Sequence, residues 1–98
     1  MKLRITDDAK EDLKAIRAYT RREHGKAQAK LYMEQLSRSF KTLLSHSEIG
    51  FSVDDLKAGY RCFRVQHHSV YYRCENDVIS VVAVLHESQL PKRHLERR

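Results

Sequence analysis

Long apolar runs are missing from this 98-residue chain: no stretch approaches the roughly 18 apolar residues that a membrane-spanning helix needs. The first residues, Met1 to Asp8, turn acidic before a signal-like apolar region can form, so a cytoplasmic protein with no membrane partner is expected. Cysteine is scarce, with only Cys62 and Cys74. They fall on neighbouring predicted strands, where one register sets them nearly opposite, but without secretion two reduced thiols are expected. No Cys or His recurs at metal-ligand spacing, so neither a metal site nor a cofactor is expected. Acidic residues are the minority, 13 against 19 Lys and Arg, leaving a net charge of +6. That balance suits either an anionic macromolecular partner or solubility alone. Repeats and low-complexity tracts are absent, and Pro91 is the sole proline. The length supports one domain, residues 1–98, with a single modest core.

What is present is centred on residues 59–86. Three runs rich in Val, Ile, Tyr and Phe are separated by short polar breaks and read as three antiparallel strands. The last, Val78 to Leu85, is apolar except at Ser80. A strand with one wet face alternates, so this one should be central and covered on both faces. The two earlier runs carry Arg61, Arg64 and Arg73, which suggests a charged sheet face used for binding.

Upstream, residues 2–6 alternate and read as a first strand. Asp7 or Asp8 is the expected cap of a helix running to about His24, with an apolar stripe of Ala9, Leu13, Ile16 and Tyr19. Acidic residues crowd its start and Arg17, Arg21 and Arg22 its end, as the helix dipole favours. Gly25 should stop it. A second helix, from about Lys26 to Ser45, follows from the spacing of Ala29, Met33, Leu36, Phe40 and Leu43. Its long packed seam argues against a helix-turn-helix DNA reader, and no sequence-specific DNA binding is expected. Residues 45–59 form one long irregular segment, expected to be pinned to the core by Ile49, Phe51, Val53 and Leu56. The fold class is therefore α+β, in the order β-α-α-β-β-β. The helical hairpin should cover one face of a small antiparallel sheet, with the first strand beside the last.

The ordered fragments Gly59-Tyr60-Arg61-Cys62-Phe63, His68-Ser69-Val70-Tyr71-Tyr72-Arg73, Val84-Leu85-His86 and Arg93-His94-Leu95 resemble the RelE/ParE superfamily of bacterial type II toxins, most closely its ParE branch. The helical pattern Ala9-x-x-Asp12-Leu13-x-x-Ile16-x-x-Tyr19 fits as well. The resemblance implies a plasmid-stabilising toxin neutralised by a cognate acidic, ParD-like antitoxin, with bacterial DNA gyrase as its target. The alternative it implies is a RelE-like ribosome-dependent messenger-RNA endoribonuclease. RNA cleavage needs an acid, a base and cations around the scissile phosphate. The arginine common in the last strand of RelE-like enzymes is Ala83 here, and no Tyr follows Tyr72, so a binding toxin without catalytic residues is favoured.

The candidate target- and antitoxin-binding residues are Arg61, Tyr71, Arg73, His86, Arg93 and His94. Tyr71 and Tyr72 should point to opposite faces, one into the core and the other toward a partner. His86 reads as a hydrogen-bonding strand terminator or a general acid, and His67 with His68 as a turn. Arg93 and His94 lie in a C-terminal group that reads as a solvated tail.

Overall fold

The computed structural model describes all 98 residues. The chain runs through β1 (Lys2–Ile5), α1 (Asp7–His24), α2 (Lys26–Ser45), β2 (Phe51–Ser52), β3 (Tyr60–Val65), β4 (His68–Glu75), β5 (Val78–His86) and α3 (Pro91–Leu95). One sheet has the order β1-β5-β4-β3-β2. As the apolar run from Val78 implied, β5 is interior and every residue from Ile79 to Leu85 is buried. The first strand lies beside the last, and the pair is parallel, so the sheet is mixed where an antiparallel one was expected. Parallel neighbours need a crossover of a dozen residues or more, which the helical hairpin supplies. The β4–β5 turn, Asn76-Asp77, has φ of 52° and 62°, the double left-handed geometry that matches strand twist in a two-residue hairpin.

The cap of α1 is Thr6, one residue before the expected aspartates. Thr6 is extended, and its Oγ1 accepts a hydrogen bond from the Ala9 amide at 3.2 Å. Asp7 and Asp8 instead occupy the first turn, where the helix dipole favours acids. Gly25 joins α1 to α2 at φ 90° and ψ 165°, a region essentially reserved for glycine. Space is not the constraint there, because a Cβ would meet nothing within 4 Å.

The hairpin packs Ala9, Ile16, Leu36, Phe40 and Leu43 onto Val70, Tyr72, Ile79, Val81 and Val84. Thr20, rather than Tyr19, ends the buried stripe of α1. At 100° per residue, Thr20 falls in line with Ala9, Leu13 and Ile16, whereas Tyr19 rotates off it and is 53% exposed. The Thr20 hydroxyl donates to the Ile16 carbonyl at 2.7 Å, which satisfies it in the interior.

A β-bulge sits in the middle of β5. Tyr71 pairs with Ala83 and Tyr72 with Val81, which leaves Val82 without a partner on β4. The extra residue reverses the side-chain alternation. Ile79, Val81 and Val84 face the helices, while Val82, Ala83 and Leu85 face a second cluster with Tyr60, Cys62, Tyr71 and Leu95. That second face is covered by α3 and by Val53 and Leu56. The C-terminal group is therefore a docked element, with Leu95 wholly buried, and not the solvated tail expected. For the same reason Tyr71 and Tyr72 are both core residues, since neither sheet face at that point is open. Of the four residues expected to pin the long segment, only Val53 and Leu56 do so. Ile49 and Phe51 are about half exposed, Phe51 because it lies on the short edge strand β2 opposite Cys62. Cys62 faces Tyr71 and Cys74 faces Ile79, so the two thiols are not opposed and both are free.

Candidate functional site

The bulge leaves two backbone groups of β5 to be satisfied from outside the sheet. The Val84 amide donates to Asp12 Oδ2 at 2.9 Å, and the Val82 carbonyl accepts from Arg98 Nη1 at 3.2 Å. Asp12 and Arg98 also bind each other through paired contacts, Nη1 to Oδ2 at 2.5 Å and Nη2 to Oδ1 at 3.1 Å. Their side chains are 15% and 14% exposed. The hydrogen bonds it donates to Asp12 hold the Arg98 guanidinium above its ordinary pKa. Two further bonds fix the segment: Lys57 Nζ donates to the Leu95 carbonyl and the Tyr60 hydroxyl to that of Arg98. Sequence reasoning counted Asp12 among the acids at the helix start. Its partner lies 86 residues away, at a separation no local pattern registers.

Two residues beyond Val84 on the helix-facing side, the alternation shift turns His86 toward His68, its cross-strand partner. The two rings meet edge to face at 5.2 Å, and His67 lies 6.4 Å from His86. Each ring is oriented through Nδ1: His68 to the Tyr32 hydroxyl, His67 to Glu87, and His86 to Ser88 Oγ at 2.8 Å. The backbone amide of His86 donates to Gln89 Oε1 at 2.7 Å, which ends the strand as the terminator reading expected. Tyr32 and Gln35 from α2, Thr20 and His24 from α1, and the three histidines line a cavity of ≈ 590 Å³. A second cavity of ≈ 350 Å³ adjoins it between α1 and the end of β5, lined by Ala15, Ile16, Tyr19 and Val84 together with Asp12 and His86.

Burial is the first cause that lowers His68 to about 4, followed by the neighbouring charges of His86 and His67, with Glu87 opposing. Burial likewise raises the Tyr32 phenol. Because the folded protein keeps His68 neutral, the unfolded chain takes up more protons between the ordinary value of 6.5 and about 4. The His68 contribution to stability should be full above that window and lost as the pH falls through it. Urea unfolding at pH 7.5, 5.5 and 4 should show a decline that is shallower in His68→Gln; equal slopes in the two proteins would contradict the assignment.

The six candidate residues do not form one patch. Arg61 lies on the helix-facing side, where its Nε donates to the Gly50 carbonyl at 3.0 Å and Nη2 to that of Glu48 at 3.2 Å. It clamps the segment that follows α2. Arg64 and Arg73 project from the other side of the sheet, so the single charged face expected from these three arginines does not exist. Alternation sets Arg64 in line with Cys62, and Arg73 is the cross-strand partner of Tyr60, both members of the second cluster. Tyr71, expected as a contact, is 7% exposed within that cluster. His86 is about 13 Å along the sheet from Arg61, at the other end of the strands. Arg93 and His94 sit on α3, where with Asp8, Arg97 and Arg98 they line a polar cavity of ≈ 360 Å³. Tyr32 was not singled out from the sequence, and His68, expected in a turn with His67, instead opens β4 and pairs with Val65 and His86. A signal was available in the adjacent histidines, the second of which opens a strand whose partner ends in another.

A helical hairpin on one face of a mixed sheet, with a short helix on the other, is a fold shared with solved toxin–antitoxin systems. The solved chromosomal ParDE toxin–antitoxin system from P. aeruginosa superposes with a TM-score of 0.78 at 20% identity, over 88% of this chain and 95% of that one. The YoeB–YefM complex from Staphylococcus aureus gives 0.57 at 15% identity, over 86% and 93%. The chain belongs to the ParE toxin family: the model of the family described as ParE toxin of type II toxin-antitoxin system, parDE, matches residues 3–91. Toxin ParE1 of Caulobacter vibrioides is 33% identical over 92 residues, covering 94% of this chain and 95% of that protein. Toxin ParE of Escherichia coli is 33% identical over 84 residues, covering 85% and 82%.

Proposed function

We propose that this ParE-family toxin acts in the cytoplasm by binding bacterial DNA gyrase, without bond-breaking chemistry of its own, and is neutralised by a cognate acidic antitoxin. The family match over residues 3–91 carries the reading, because it spans the helical hairpin and all five strands. The antitoxin segment folds on binding and occupies the groove between α1 and β5, where Tyr19 is half exposed beside Ile16 and Val84. Arg93 and His94 on α3, with His86 at the groove's end, are the proposed contacts for partner and target. Arg73 is a further candidate on the far face.

The local geometry favours binding over RNA cleavage. Arg61 is committed to two backbone carbonyls, and position 83 is an alanine wholly buried in the second cluster. The histidine cavity therefore has no Lys or Arg in its lining to neutralise a scissile phosphate. Producing the chain alone in bacteria should arrest growth with DNA damage, and the acidic partner encoded alongside should restore growth and co-purify with it. Translating extracts should show no message cleavage. Position-specific cuts that disappear in Arg61→Ala would overturn the proposal in favour of the endoribonuclease reading.

A further inference from the structure

The outward face of α1 carries an unneutralised line of positive charge that none of the contacts above uses. Lys10, Lys14, Arg17 and Arg21 recur at intervals of four, three and four, which keeps them on one stripe about 16 Å long. All four are exposed. None joins an ion pair; the four ion pairs of the protein involve Met1, His67 and Arg98 as cations. Lys14, Arg17 and Arg21, with Ala18 and Arg22, border a shallow depression of ≈ 530 Å³.

We propose that this stripe binds the phosphate backbone of duplex DNA without reading its sequence. The composition of the surface selects among polyanions. An acidic peptide that orders on binding needs apolar anchors to offset its lost entropy, and the depression offers only Ala18. A membrane surface would need an apolar helix face, but that of α1 is sealed against the sheet through Ala9, Ile16 and Thr20. Single strands are held by base stacking, and the one aromatic residue on α1, Tyr19, lies off the stripe with Arg22 stacked over its ring at 5.7 Å. A duplex asks only for cations held in a row by a rigid element, since its backbone carries one negative charge per about 1.7 Å of axis. The inference stands apart from the gyrase proposal, because bare duplex contains no gyrase and a failed test leaves that proposal as it was.

The test is fluorescence anisotropy of a labelled 20-base-pair duplex, about 50 to 200 mM salt, with the native chain and two triple variants. K14Q/R17Q/R21Q removes three of the four charges of the stripe. K2Q/R4Q/R64Q removes equal charge from exposed positions on the far face of the sheet. Gln has nearly the helix propensity of Lys and Arg, so the stripe variant should keep its fold, as circular dichroism would show. The native chain should bind weakly, in the range of about 10⁻⁴ to 10⁻⁶ M near physiological salt. The stripe variant should bind at least about tenfold more weakly, with a log–log salt slope shallower by about 2.7. The far-face variant should match the native chain. Equal losses in the two variants, no loss in the stripe variant, or tighter binding of the native chain to phosphatidylserine vesicles than to duplex would overturn the proposal.

Discussion

Replacing Asp12 by alanine should lower the stability of the protein by about 3 kcal/mol, the scale on which removing one partner of a buried ion pair is felt. The substitution strands two groups at once. The Val84 amide loses its only acceptor at the bulge, and the Arg98 guanidinium keeps only the Val82 carbonyl and a longer contact to Asp8, Nε to Oδ2 at 3.9 Å, where it had a bidentate carboxylate. Both side chains are about 85% shielded from water, so solvent cannot replace what is lost. For a domain of this size, the midpoint of thermal unfolding should fall by about 15 °C. Asp12→Asn retains an acceptor for Val84 and should lose less. A double-mutant cycle with Arg98→Gln should be far from additive, because each single change already abolishes the pair. A shift in midpoint below about 2 °C for Asp12→Ala would mean that the pair does not hold α3 to the sheet.

The second large effect is expected at Gly50, and its cause is close approach. A Cβ there would lie 2.7 Å from the Cys62 carbonyl oxygen and 2.7 Å from the Tyr72 hydroxyl. Neither neighbour can retreat. Cys62 is mid-strand in β3, and the Tyr72 ring is wholly buried, with its hydroxyl accepting from the Gly50 amide and donating to the Ser47 carbonyl. The strand would keep its place and the segment after α2 would lift, breaking the Arg61 contacts with Glu48 and Gly50. Gly50→Ala should therefore cost about 2 kcal/mol, typical of overpacking in a close-packed interior. Tyr72→Phe alone should also destabilise, by leaving Gly50 N–H and Ser47 C=O unpaired. Combining the two should cost less than their sum, since removing the hydroxyl also removes one of the clashing atoms. Chemical denaturation of the four proteins would measure this, and strict additivity would contradict it.

These two sites show where sequence reasoning stopped. The paired helices were legible because Ala29, Met33, Leu36, Phe40 and Leu43 keep a helical period, and Gly25 marks the break. The place of the first strand followed from the run Val78–Leu85, which needed a neighbour on each side. The bulge was illegible for the same reason that β5 was obvious: in a continuously apolar run an inserted residue leaves no trace in the pattern. Everything that depends on the reversed alternation was hidden with it, including the orientation of His86 and the groups that Asp12 and Arg98 satisfy. The helix α3 carries a single buried apolar residue, Leu95, among Lys92, Arg93, His94 and Glu96, too little periodicity to reveal a docked element. Arg61 was noticed, but its hold on the Gly50 and Glu48 carbonyls was not, because a strand arginine bonded to backbone carbonyls looks in sequence like one facing a partner.

A gyrase supercoiling assay with the purified chain would decide whether the toxin acts on that enzyme. Supercoiling should be lost, or cleaved DNA should accumulate, at toxin concentrations comparable to that of the enzyme, and the co-encoded acidic partner should reverse the effect. Undisturbed supercoiling at a large excess of folded toxin, with no cleaved DNA trapped, would contradict the proposed action.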